Sequence, residues 1–207
     1  MKDFLLSLIN EYKEKYSDLI FHVEKSHVSK QWGMGLMPSY NPAPYICELQ
    51  GSSPGRLLKN SSKPANNKQC YFLDNHQEII AEIQYAKHIK LKEQWIIYRR
   101  FFINTPASII ELNFGSTLEK NMDANLDSVA VNKLEGGHTI AHYSLLNTGE
   151  YFETFYKYNG GKIVSVTENI WRDTFTTRIY EITHANGAPT IYELLHDNSK
   201  ILIYPEN

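Results

Sequence analysis

The chain has 207 residues, 42% hydrophobic and 21% charged, with a formal net charge of −2 and a pI of about 6.4. This length allows one substantial core, and the apolar fraction argues against wholesale disorder. Near-neutral charge without a long basic run excludes a surface built for polyanions, so nucleic acid is not an expected partner.

The amino terminus, MKDFLLSLINEYKEKY, carries an acid at position 3 and no small-residue cleavage site, so it does not read as a secretory leader. No apolar run is long enough for a membrane-spanning helix. The two cysteines, Cys47 and Cys70, have no partner at ligand spacing. The expectation is a reduced, cytoplasmic protein with no metal, cofactor or membrane partner.

In chain order, residues 3 to 16 read as an amphipathic helix, with Leu5, Leu8, Ile9, Tyr12 and Tyr16 on one stripe that covers a sheet face or docks a partner. Asp18 to Lys30, with the apolar string Leu19-Ile20-Phe21 and Val23 beyond it, reads as one strand. Residues 31 to 68 hold five of the eight prolines and read as irregular, with a short strand at Tyr45 to Leu49. Within this region Trp32 to Tyr45 is a candidate functional loop. Strands follow at Cys70 to Leu73, Glu78 to Tyr85, Gln94 to Ile103, Ser108 to Phe114 and Ser128 to Leu134. The basic residues Lys87, Lys90, Lys92, Arg99 and Arg100 read as a solvated strand connection.

From His138 onward the chain is periodic. Candidate turn residues Gly137, Gly149, Gly161, Asp173, Gly187 and Ser199 recur about every twelve residues, one strand plus one turn. The runs between them are rich in Tyr, Phe, Ile, Val and Thr. The fold class expected is α+β, mostly β: an N-terminal amphipathic helix on a long up-and-down antiparallel meander, in a single domain of residues 1–207. Its two parts are the helix with the irregular region, 1–68, and the sheet, 69–207.

If the loops are the pairs Thr148-Gly149, Gly160-Gly161, Arg172-Asp173 and Asn186-Gly187, the register follows. One row becomes His142, Phe155, Val166, Ile179 and Leu194; the next becomes Ser144, Glu153, Glu168, Thr177 and His196. Glu153 then faces Glu168, an unfavourable like-charge pair that needs a reason. It binds a cation or a basic partner group, or shares a proton; or else the row is solvent-exposed or the register is wrong. The candidate partner- or ligand-binding residues are Glu153, Glu168, Ser144, Thr177 and His142. His138 and His142, four apart on a strand, sit too far apart (about 13 Å) for one zinc ion. A triad of Ser144, His142 and Glu153 has no oxyanion-hole signature, so no catalytic residue is assigned.

The segments YSLLNTGEYFETFYKYNGGKIVSV and YEITHANGAPTIYELLHDNSKILIY resemble the tyrosine-and-turn pattern of YD-like β-hairpin repeats, over about a third of the chain. A small chain with an N-terminal helix and a repetitive antiparallel sheet also resembles immunity proteins of bacterial polymorphic toxin systems. That resemblance implies a non-catalytic protein that binds and neutralises a cognate toxin domain. The excess of eight acidic over five basic residues in 138–207 suits a basic partner. The alternative is a small-ligand binder or hydrolase using the polar row.

Overall fold

The computed structural model describes residues 1–60, 63–185 and 188–205. The chain opens with two helices, α1 (Lys2–Tyr12) and α2 (Tyr16–Ser26). Thirteen strands follow among the described residues. The first three are β1 (Ser29–Met34), β2 (Arg56–Leu57) and β3 (Lys68–Leu73). Next come β4 (Ile79–Ile89), β5 (Gln94–Asn104), β6 (Ser108–Leu118) and β7 (Leu126–Glu135). The regular stretch supplies β8 (His138–Leu146), β9 (Tyr151–Asn159), β10 (Lys162–Trp171), β11 (Phe175–Ala185), β12 (Ala188–Leu194) and β13 (Lys200–Tyr204). All belong to one antiparallel sheet, up-and-down from β3 to β13, with β1 and then β2 added beyond β3.

The string at Leu19 to Val23 is helical, not a strand. Tyr16, Ile20 and Val23 recur at helical spacing and are buried together, while Phe21 between them is 56% exposed. An unbroken apolar run hides that period until something is packed against one side of it. Leu5, Leu8, Tyr16, Ile20 and Val23 form one core with a row that crosses the sheet: Ala81, Phe101, Leu112, Val129, Leu145 and Tyr151. Tyr16 also sets its ring against Phe114, 4.9 Å between centroids. This side is called the helix face.

The other side is crossed by residues 35–55, and is called the loop face. Tyr45 to Leu49 is not a strand there: a turn leads into a 3₁₀ turn at Glu48–Gln50. Leu49 packs on Tyr156, Val166, Tyr180, Ile182 and Ile191. The excursion is tied down by polar bonds as well. Tyr71 Oη accepts from the Ser39 and Tyr40 amides, Gln69 Nε2 donates to Gly35 O, and Thr139 Oγ1 donates to Pro42 O. Gly55 is required by close approach, since a Cβ there would stand 2.5 Å from Met37 O.

The meander has the expected strands but not the expected register. Gly160-Gly161 is a two-residue loop with both φ positive, at 56° and 76°. The ladder of β11 with β12 also pairs Ile179 with Leu194 as expected, its turn at Asn186-Gly187 lying outside the described residues. The other two loops hold three residues each, 147–149 and 172–174, and a bulge at Val164 shifts β9 against β10. Each one-residue slip exchanges the faces of everything beyond it.

Candidate functional site

The slips separate the expected glutamate pair. Glu153 pairs with Tyr143 and Asn169 on the helix face, where its carboxylate accepts from Tyr151 Oη at 2.6 Å. Glu168 pairs with Thr154 and Arg178 on the loop face. The like-charge ladder pair therefore does not exist. Thr177 goes to the helix face with Glu153, exposed and donating to Asn169 Oδ1. His142, Ser144 and Glu168 stay together on the loop face and line one cleft of about 640 Å³, roofed by Ile46, Leu49 and Gln50. Such a volume is ordinary for a small-molecule site.

Beneath the cleft runs a buried polar chain. Arg100, in the middle of β5, is 13% exposed at its side chain and lies between Glu82 on β4 (2.6 Å) and Glu111 on β6 (2.9 Å). Its guanidinium also donates to Asn41 Oδ1 at 3.0 Å and Tyr40 O at 2.8 Å, so the same group fastens the loop excursion. Burial loosens its proton, but the Glu82 and Glu111 carboxylates outweigh that and hold the proton more tightly than usual. The expectation of a solvated basic cluster is thus wrong for Arg100: strand alternation turns it inward.

The chain continues sideways. Glu111 Oε1 accepts from Asn132 Nδ2 at 2.7 Å, and Asn132 Oδ1 lies 2.9 Å from His142 Nδ1. The Asn132 amide orientation is fixed, because reversing it would turn Oδ1 against the carboxylate and the Ile109 carbonyl. His142 must therefore donate from Nδ1, which leaves Nε2 as a lone-pair acceptor with no protein partner among the described residues. Beside it in the next strand, Thr154 is 1% exposed and its Oγ1 also has none. Glu168 comes next, its carboxyl raised by burial against the pull of Arg178 opposite.

Burial lowers the His142 pKa from its ordinary 6.5, with Glu111 opposing and Arg100 reinforcing. The unfolded chain takes up a proton at that pH which the folded chain refuses. The stability contributed by the neutral ring is present above pH 6.5 and is lost as pH falls below it, at up to about 1.4 kcal/mol per pH unit. Thermal melts from neutral pH to about pH 5 should show this slope, and His142→Gln should flatten it; equal slopes in the two proteins would contradict the assignment.

The cysteines do not take part. Cys47 and Cys70 are free and buried, and burial pushes both thiols up to about 11, so neither is a ready nucleophile. Among the described residues no three His, Cys, Asp or Glu side chains gather as a metal site, and no helix is long and apolar enough to cross a membrane. Sequence reasoning missed Arg100, Glu111, Asn132 and Thr154. A signal for the first two existed: Glu82, Arg100 and Glu111 each interrupt an apolar run in three consecutive strands. Compared with protein-family models, curated proteins and solved structures, the chain matches none.

Proposed function

We propose that this chain is a binding protein whose site is the loop-face cleft, taking a small polar ligand or the polar end of a partner's side chain. One observation carries the reading. The buried chain from Glu82 to His142 does not close on itself but ends at the cavity, in an oriented Nε2 lone pair. A buried polar group left without a partner costs about 1–3 kcal/mol, so a network serving stability alone gains nothing by ending this way. Pre-set groups at the base of a ligand-sized cavity are what a binding site requires.

Native mass spectrometry of the full chain after exposure to an extract of its own cells tests this. Wild type should carry a small-molecule mass that Ser144→Phe, which fills the cleft floor, does not retain. A ligand-free wild type, or equal retention by the variant, would count against it.

A second reading, an immunity-type protein that neutralises a toxin domain, is favoured by a different surface. Beyond the helices the helix face is uncovered over β9 to β11, where Phe155, Phe175 and Ile179 are 37%, 58% and 43% exposed on one side of the sheet. Exposed aromatic and aliphatic groups clustered this way suit a protein interface. A pull-down from the native cells should then yield a stoichiometric protein whose capture is lost with Ile179→Asp but not with Ser144→Phe.

A further inference from the structure

We infer that the group recognised in the cleft is a cationic hydrogen-bond donor, a guanidinium or ammonium on a short apolar stem. The inference rests on the cleft being a binding site, and adds what that site selects.

His142, Thr154 and Glu168 are successive cross-strand partners. Direct neighbours in a row lie about 4.5–5.5 Å apart, so they form a strip about 10 Å long. His142 Nε2 and the Glu168 carboxylate can only accept, while the Thr154 hydroxyl between them is sealed from the cleft. Among the described residues Glu168 receives one protein hydrogen bond, a long one of 3.4 Å from Tyr180 Oη. A complementary group must bring several donors.

Three arginines line the cleft, and each already has a carboxylate within 4 Å: Arg100 has Glu82 and Glu111, Arg172 has Glu150 at 3.0 Å, and Arg178 has Glu193 at 3.7 Å. Glu111 is likewise matched. Glu168 alone holds no basic nitrogen within that distance among the described residues. The unmatched charge at the cleft is negative, which favours a cation over an anion and over a neutral polyol. One row across, Phe152 and Ile170 supply an apolar wall for the stem.

The same chemistry is offered by a free small amine or guanidine and by a Lys or Arg side chain of a partner protein. The test titrates the full chain with butylguanidinium, butylammonium, the neutral isostere butylurea, and a short arginine-containing peptide, following the backbone amides by NMR. Saturable shifts at His142, Thr154 and Glu168 are expected with a cationic probe, with butylurea at least tenfold weaker. Glu168→Gln should weaken the cation at least tenfold while unfolding at the wild-type temperature. Tighter binding of the small probes than of the peptide points to a free ligand; the reverse points to a partner's side chain. Butylurea binding as well as the cations, or Glu168→Gln binding like wild type, would overturn the cationic assignment and leave the cleft reading intact. If Ser144→Phe still retains the cell-derived ligand, the cleft reading itself fails.

Discussion

Replacing Arg100 by methionine should cost about 3–5 kcal/mol, because it leaves Glu82 and Glu111 buried on either side of it with no counter-charge. For a chain of this size that corresponds to a fall in unfolding temperature of roughly 6–20 °C. The loss would not stay local. The Tyr40 carbonyl and Asn41 also lose their donor, so residues 35–55 should be cut by protease well before the sheet unfolds. The cost comes from uncompensated charge, not lost packing, and a triple variant separates the two. Adding Glu82→Leu and Glu111→Leu to Arg100→Met should recover much of the stability, since apolar groups of similar volume replace a buried ion cluster at little cost. A triple variant even less stable than the single one would show that the network stabilises in its own right.

Leu5→Ala should be nearly as damaging, at about 2–5 kcal/mol. Leu5 is 0% exposed and meets the row of Val129 and Leu145 across the central strands, so its removal leaves a cavity between two layers. Those layers are a helix and a sheet, which collapse poorly onto one missing side chain. Leu6, next along α1, is 44% exposed, and Leu6→Ala should change stability by no more than about 0.5 kcal/mol. Thermal or urea unfolding of the two variants side by side checks this, and equal losses would mean that α1 docks by another face.

Strands and turns were legible in the sequence because they rest on local chemistry. Gly160-Gly161 needs positive φ at both positions, and Tyr, Phe, Ile, Val and Thr between the turns suit a half-buried pleat. Register was not, because it depends on loop length. Asn147 and Thr174 look no different whether they end a strand or belong to a loop, yet each extra loop residue turns the following strand over. Glu153 was therefore paired with Glu168 when the two stand on opposite faces. His142, Ser144 and Glu168 share a face because β8 and β10 each slip by one residue against β9, and two slips restore the face.

The string after Tyr16 hides its helix for a different reason: residues 3 to 16 read as one helix, but α1 ends at Tyr12 and Tyr16 opens α2. Its apolar string has no visible period until the sheet selects Ile20 and Val23 and leaves Phe21 in solvent. Arg100 was hidden by its neighbour Arg99, which made it look like part of a surface cluster. Only the pairing of β5 with β4 and β6 brings two acids to it.

The central claim is that the buried chain ends in an acceptor at the cleft, and the protonation of the His142 ring tests it directly. Long-range ¹H–¹⁵N spectra of the labelled protein near neutral pH should show a neutral imidazole protonated at Nδ1, with Nε2 unprotonated and its resonance moving when a cationic probe is added. A ring protonated at Nε2, or at both nitrogens, would contradict the account, since no lone pair would then face the cleft.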